Sequence, residues 1–554
     1  MPPRFALVLL GCLCVATALA AQSVAPVQSS DLALQIAAII AAPAVSRTHW
    51  GVMVTTMEGV PIYALNEGQL FQPASNTKLF TTAAALALIP SMTLETRVVG
   101  RGRFDGAGTL DGDLVLIGDG DANLSGRMVP YAPAAKAEPG LRYLEAMADA
   151  VAQSGLNRVN GDVVGDDTLF PWEPYAADWA IDDAVWGYGA PVSALTVNDN
   201  EIEVTVRPMS QSREMGQPQP MSQNRDMGYP GAAEVTLDPD VGYYTVDASG
   251  LKTVAAKGVS RVEMARAMGS RVLRVYGTIA ADAKPDREEI AIEDPAEFAA
   301  MAMKRMLEAR GVSVSGAARA EHRMAADAAG FLAETREPIS GLRISPNAGY
   351  GRGSGLTSYS CDHCDPRTLP EEKLLASHES PTVAEDVVIT NKESQNLHAE
   401  LLLRQLGAAV GTDGSIAQGA RVVRSFLVNA GVDPGEFVFF DGSGMSGHNL
   451  VTPRVITKLL QFASTQPWFA AYKASLPVGG VDGSLESRFT KAPLKGHVFA
   501  KTGTNSETRA LSGYLECASG RTVIFSILAG DHFPSTSADR EAMDRIVAAI
   551  ADAD

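Results

Sequence analysis

The groups needed to activate one serine are scattered along almost the whole chain, and that scatter restricts the fold more than any local pattern does. Ser75-Asn76-Thr77-Lys78 stands near the start, Ser394-Gln395-Asn396 well past the middle, and Lys501-Thr502-Gly503 near the end. A hydroxyl is a poor nucleophile until a neighbouring base takes its proton, and a desolvated lysine can be that base. Ser75 and Lys78 lie three apart at the edge of the apolar run Leu79-Phe80-Thr81-Thr82-Ala83-Ala84-Ala85-Leu86, so a helix starting there puts both on one face. Ser394 and Asn396 add a second hydroxyl and an amide, and Lys501 adds a cation beside a glycine. These parts can relay a proton and hold an anion only if they meet in space.

The texture of the intervening chain fits that demand. Residues 21–94 hold a strand-like start, Trp50 to Thr56, and then the Ser75 helix, which ends at Ile89-Pro90. From 95 to about 372, short strand candidates alternate with turns, as in Leu114-Val115-Leu116-Ile117 before Gly118-Asp119-Gly120, Gly161 to Val164, and Ile202 to Val206. Beyond 373 longer helices return, such as the one opening at Asn396. A hairpin follows, from Leu511 to Glu516 and Val523 to Leu528 across Ala518-Ser519-Gly520-Arg521, and then a terminal helix, Asp539 to Ile550. The simplest architecture is one discontinuous α/β domain interrupted by a large, mainly β insertion, with a substrate cleft beside the insertion.

With 46% apolar and 20% charged residues, the 554-residue chain has the mix of a globular protein with real cores. A formal charge of −18 argues against nucleic acid, which recruits basic surfaces. Arg4, the apolar stretch Phe5 to Leu19, and Ala18-Leu19-Ala20 read as a cleavable secretory signal over residues 1–20. Leu9-Leu10-Gly11-Cys12 loosely resembles a lipoprotein signal but sits very early. No later apolar run reaches transmembrane length, so an exported, unanchored protein is expected.

After removal of the signal, Cys361, Cys364 and Cys517 remain. Cys361-Asp362-His363-Cys364 reads as a local disulfide or as two idle thiols. Structural zinc wants four ligands, and no second Cys/His pair lies nearby. Cys517 falls in a strand-like run and reads as a core thiol. The eight histidines form no Ser/His/Asp or HExxH pattern, and His398 reads as a structural residue of its helix. One tandem repeat, Pro208 to Gly216 and Pro220 to Gly228, has the polar, turn-forming composition of a duplicated surface loop.

Each motif alone is weak. Ser249-Gly250-Leu251-Lys252 also fits the first, and Ser222-Gln223-Asn224 and Ser345-Pro346-Asn347 fit the second, but all three sit in turn-like or loop-like sequence. Lys501-Thr502-Gly503 has no second copy. The three motifs together, in this order, resemble the penicillin-recognising serine enzymes. The long first interval resembles the class C low-molecular-mass penicillin-binding proteins, the D-alanyl-D-alanine carboxypeptidase/endopeptidases of peptidase family S13. Further stretches carry the similarity over nearly all of the mature chain: Gly161 to Asp167, Ser193 to Asn200, Asp441 to Ser446, Val481 to Leu485 and Leu511 to Leu515. The repeat and the stretch Ser345 to Pro370 are expected to have no family counterpart.

The resemblance implies a catalytic domain of an antiparallel sheet with helices, over 21–94 and 373–554. It implies an insertion of two nested modules, a second domain over 95–121 and 191–372 and a third over 122–190. It implies catalytic roles for Ser75, Lys78, Ser394 and Asn396, and substrate-binding roles for Lys501, Thr502, Gly503 and Thr504. In that scheme Lys501 and Thr502 hold a terminal carboxylate, Gly503 admits the substrate backbone, and the N–H groups of Ser75 and Thr504 hold the oxyanion. No metal or organic cofactor is implied. The implied substrates are peptidoglycan stem peptides, with β-lactams as covalent inhibitors and the periplasm as the place of action. A serine β-lactamase is the nearest rival enzyme. Its class A form needs an E-x-x-L-N string that is missing, and its class C form carries a tyrosine where Ser394 stands. A non-catalytic peptidoglycan-binding protein is the rival of another kind, and the intact set of catalytic side chains counts against it.

Overall fold

The computed structural model describes residues 30–133, 138–209, 231, 233–325, 330–342, 372–533 and 536–553. Its central sheet joins the two ends of the chain. Five strands run in the order Val498–Thr504, Arg509–Glu516, Thr522–Gly530, His49–Thr56, Pro61–Leu65, and every neighbouring pair is antiparallel. The expected hairpin is the pair Arg509–Glu516 and Thr522–Gly530, with Leu511 opposite Ile527.

Alternation along Thr522–Gly530 explains why this sheet is covered on both faces. Ile524 and Leu528 point into a core shared with the helices Thr77–Leu88, Asn396–Val410, Ile416–Asn429 and Pro453–Ser464. Val523, Phe525, Ile527 and Ala529 point the other way, onto Leu32 and Ile36 of the helix Ser30–Ile40 and Met543, Ile546 and Ile550 of the helix Ala538–Ala553. Cys517 joins this second core as a free, buried thiol. Every side chain of Thr77–Leu88 is buried, so the apolar run after Ser75 is the central helix of the layer. Among the described residues no helix is long and apolar enough to cross a membrane.

The long insertion folds around a core of its own. A seven-stranded mixed sheet contains Ser313–Val314, Arg158–Val159, Thr109–Ile117, Glu95–Phe104 and Glu372–Glu379 in order, with Val163–Pro171 and Ala318–Arg323 attached to it. Helices Arg142–Gln153 and Pro295–Ala309 pack on it through Leu144, Met147, Val151, Phe298, Met303 and Leu307. Two three-stranded sheets complete the insertion.

Strand pairing crosses the expected divisions in two places. Glu372–Glu379 is hydrogen-bonded along Glu95–Phe104, so the catalytic half expected from 373 begins only after that strand, at the helix Val383–Lys392. Strands Arg158–Val159 and Val163–Pro171, expected inside a separate module over 122–190, pair with Thr109–Ile117 and share its core. One apolar cluster runs from these strands to Val204, Leu273 and Ile290 of the three-stranded sheets. The Cys361/Cys364 pair, the signal segment and nearly all of the tandem repeat lie outside the described residues.

Candidate active site

Ser75 sits in a distorted entry to its helix. Ala74–Asn76 forms one 3-10 turn and the α-helix begins at Thr77, so Ser75 precedes the helix rather than opening its first regular turn. Ala74 adopts φ +45, a left-handed conformation that costs a residue with a Cβ and is held there by its surroundings. Gly444 packs against it so closely that a Cβ there would stand 1.9 Å from the Ala74 carbonyl oxygen. Asn76 Nδ2 donates to the Lys501 carbonyl at 2.9 Å, which ties the turn to the strand Val498–Thr504.

Lys78 lies at the centre. Its fully buried Nζ stands 3.0 Å from Ser75 Oγ, 2.6 Å from Asn396 Oδ1 and 2.7 Å from the Ser443 carbonyl oxygen. Burial holds its pKa down to about 7, against the pull of the Asp441 and Glu400 carboxylates. A lysine near neutrality is matched to the work of a general base. Burial and then the charge of Lys78 push Lys501 well below its usual value.

Lys501 Nζ donates to Ser394 Oγ at 2.7 Å and to the Thr502 carbonyl at 3.0 Å. All three motifs therefore converge: Ser75 with Lys78, Lys78 with Asn396, and Lys501 with Ser394. Thr502 Oγ1 meets Ser484 Oγ at 2.7 Å, and Thr504 ends its strand exposed. Gly503 also makes a close approach within the protein. A Cβ there would stand 2.8 Å from the Pro73 carbonyl and 3.1 Å from the Ser75 nitrogen, so the bare backbone lets the strand approach the Ser75 turn. Of the look-alike motifs, Ser249 to Lys252 lies within the strand Thr245–Val254 of the insertion, not in a turn. The other two fall outside the described residues.

Several site residues could not be found by motif. The Ser443 carbonyl reaches Lys78 because Glu400 Oε1 accepts from Gly442 N at 3.0 Å and Ser443 N at 2.8 Å, while Asp441 accepts from Gly444 N and Ser446 N. Burial, and then Asp441, raise the Glu400 pKa to about 7. The only sequence signal for this loop was its place in the stretch Asp441 to Ser446.

His398 is structural, as read, but it is not a mere filler. Fully buried, its Nδ1 lies 2.6 Å from Asp386 Oδ1 and its Nε2 3.5 Å from Asp199 Oδ1. Burial alone would lower its pKa, but the two carboxylates outweigh it and raise the imidazole to about 9. Removing one partner of a buried pair strands the other charge, so His398→Ala is expected to cost about 3 kcal/mol in urea unfolding. A loss below about 1 kcal/mol, the range of exposed pairs, would mean the link carries no buried charge.

Sequence comparison decides the family. The model of the D-Ala-D-Ala carboxypeptidase 3 (S13) family matches residues 32–342 and 365–552. The chain belongs to that family. A D-alanyl-D-alanine carboxypeptidase of Actinomadura sp. (strain R39) is 32% identical over 91% of this chain and 81% of its own length. The D-alanyl-D-alanine carboxypeptidase DacB of Haemophilus influenzae is 23% identical over 82% and 79%. In fold, the chain is similar to the crystal structure of penicillin binding protein 4 (dacB) from Haemophilus influenzae, at TM-score 0.70 and 20% identity, covering 94% of this chain and 98% of that one. The same protein complexed with a novel beta-lactam matches at TM-score 0.65. As an S13 member, the chain is a serine-type carboxypeptidase with the expected α/β fold of antiparallel sheet and helices.

Proposed function

We propose that the protein is a D-alanyl-D-alanine carboxypeptidase/endopeptidase that trims peptidoglycan stem peptides through an ester on Ser75 and is inhibited covalently by penicillins. One observation carries this reading: the buried Lys78 amine, 3.0 Å from Ser75 Oγ, is the base an otherwise inert hydroxyl needs.

In the proposed reaction Ser75 Oγ attacks the carbonyl carbon between two D-alanines, and its proton passes to neutral Lys78 Nζ. The N–H groups of Ser75 and Thr504 receive the oxyanion. As the C–N bond breaks, the proton reaches the leaving amine through Ser394, leaving an acyl ester on Ser75. Asn396 holds Lys78 and the substrate amide, and Lys501 and Thr502 hold the terminal carboxylate. An incoming carboxylate favours a charged Lys501, opposing the burial that lowers its pKa. Water then hydrolyses the ester. We assign the chemistry to residues 30–94 together with the chain from 383 on, with the segment between bordering the cleft. The segment 1–20 fits export, and with it action on the wall outside the inner membrane.

Incubation with a monomeric pentapeptide stem and with a cross-linked dimer tests this. Release of one D-alanine per stem, and cleavage of the D-Ala cross-link, are the expected products. A folded wild-type protein that acts on neither would overturn the reading.

A further inference from the structure

The second motif is held in place from outside the catalytic half. Ser394 adopts φ +60, a left-handed conformation unusual for serine, at the reversal between the helices Val383–Lys392 and Asn396–Val410. Such a conformation persists only when its surroundings over-determine it. Lys392 Nζ is held by both oxygens of Asp482, at 2.8 and 2.7 Å, and Gln395 Oε1 caps the next helix through Leu397 N. Two further anchors come from the insertion. Asn396 Nδ2 donates to the Tyr188 carbonyl at 2.9 Å, and Arg127 Nη1 donates to Glu393, the residue immediately before Ser394.

Arg127 is itself fixed at each end. Its Nε donates to Asp199 Oδ2 at 2.5 Å, its backbone nitrogen to Ser125 Oγ, and its carbonyl accepts from Arg142. Asp199 sits in a run of three left-handed residues, Asn198 to Asn200, and its other oxygen faces His398, two residues beyond Asn396. The Arg127 guanidinium thus bridges a buried carboxylate of the insertion and a surface carboxylate of the catalytic half, a task suited to its planar fork. Glu393 is otherwise exposed, so burial gives it no reason to stay where it is.

We propose that Arg127 and Glu393 are positioning residues for acyl transfer, by which the insertion holds Ser394 and Asn396 in register with Lys78 and Lys501. The inference rests on the assignment of Ser394 and Asn396 to the proton path. It makes the inserted module part of the catalytic machinery and not only a wall of the cleft. Losing the clamp frees the reversal at Ser394 to relax. That displaces the Ser394 hydroxyl from Lys501, while Lys501 and Thr502, which hold the substrate carboxylate, keep their places on the strand Val498–Thr504.

The test is the acylation time course with a chromogenic cephalosporin for wild type, Glu393→Gln, Arg127→Met and the double variant. Amplitude counts folded sites, while the saturating rate constant and the half-saturating concentration are read separately from it. Each single variant is expected to lose about tenfold in the saturating rate constant, with half-saturation within about twofold. The double variant should lose no more than the worse single one, because both remove the same link. Glu393→Gln alters a surface side chain, so it remains informative even if Arg127→Met yields less folded protein. Unchanged rate constants in both singles would overturn the proposal. So would a loss confined to half-saturation, which would make the clamp a binding element, or singles whose losses simply multiply. A wild type that forms no ester would remove the underlying assignment along with it.

Discussion

Ser75→Ala should form no covalent adduct with a penicillin and should retain roughly 10⁻⁴ or less of wild-type peptidase activity. The variant removes only a half-buried hydroxyl, and Lys78 Nζ keeps Asn396 Oδ1 and the Ser443 carbonyl as partners. Its melting temperature should therefore stay close to wild type, which separates lost chemistry from lost fold. Intact mass spectrometry after incubation with penicillin is the measurement. An adduct of opened-lactam mass on the alanine variant would move the nucleophile elsewhere. Ser394, the other motif hydroxyl, would then be examined first, although its Oγ is engaged by Lys501 at 2.7 Å.

Lys78→Arg should lose about 10³-fold in acylation rate although it keeps a positive charge. Arginine cannot give up its proton in a protein, so it cannot accept one from Ser75. Its wider head must also enter a fully buried position already enclosed by three oxygens. The wild type supplies an independent check by titration. The deprotonated amine is the active form and its pKa is about 7, so the acylation rate should rise with pH through that value and level off above it. Below it the rate should fall about tenfold per pH unit as Lys78 charges. A profile flat from pH 5 to 9 would exclude Lys78 as the base, and so would an arginine variant that acylates at the wild-type rate.

The sequence revealed chemistry better than it revealed support. The side chains that meet at Lys78 were readable because acyl transfer demands particular functional groups, and helix spacing already joined Ser75 to Lys78. The hairpin ending at Gly530 and the terminal helix were equally plain, since Thr522–Gly530 is apolar on both faces and turn residues bound it. Glu372–Glu379 was missed because Glu-Lys-Leu-Leu-Ala-Ser-His-Glu carries no β-branched residue. It survives as a strand at a sheet edge, where charged side chains suit the exposed flank. Ser249 to Lys252 reads as a turn, yet pairs in parallel with Val272–Ala280 because Gly250 makes room for the Tyr276 side chain. Arg127 and Glu400 carry no motif, and Asp199 lies in the family-like stretch Ser193 to Asn200 without a role marked for it. Their importance comes from partners brought near by the fold, and one sequence does not pair them.

The hydrogen bond from Asn76 to the Lys501 carbonyl spans 425 positions, and the strand His49–Thr56 lies between Thr522–Gly530 and Pro61–Leu65. The first strand made is thus finished almost last. During synthesis the Ser75 helix waits with its apolar faces uncovered until the helices Val383–Lys392, Asn396–Val410 and Ile416–Asn429 arrive, and the strand Val498–Thr504 gains its neighbour only with the final hairpin. No shortened chain ending before that hairpin can hold a working centre. The centre is therefore incomplete until the chain has been made as far as Gly530.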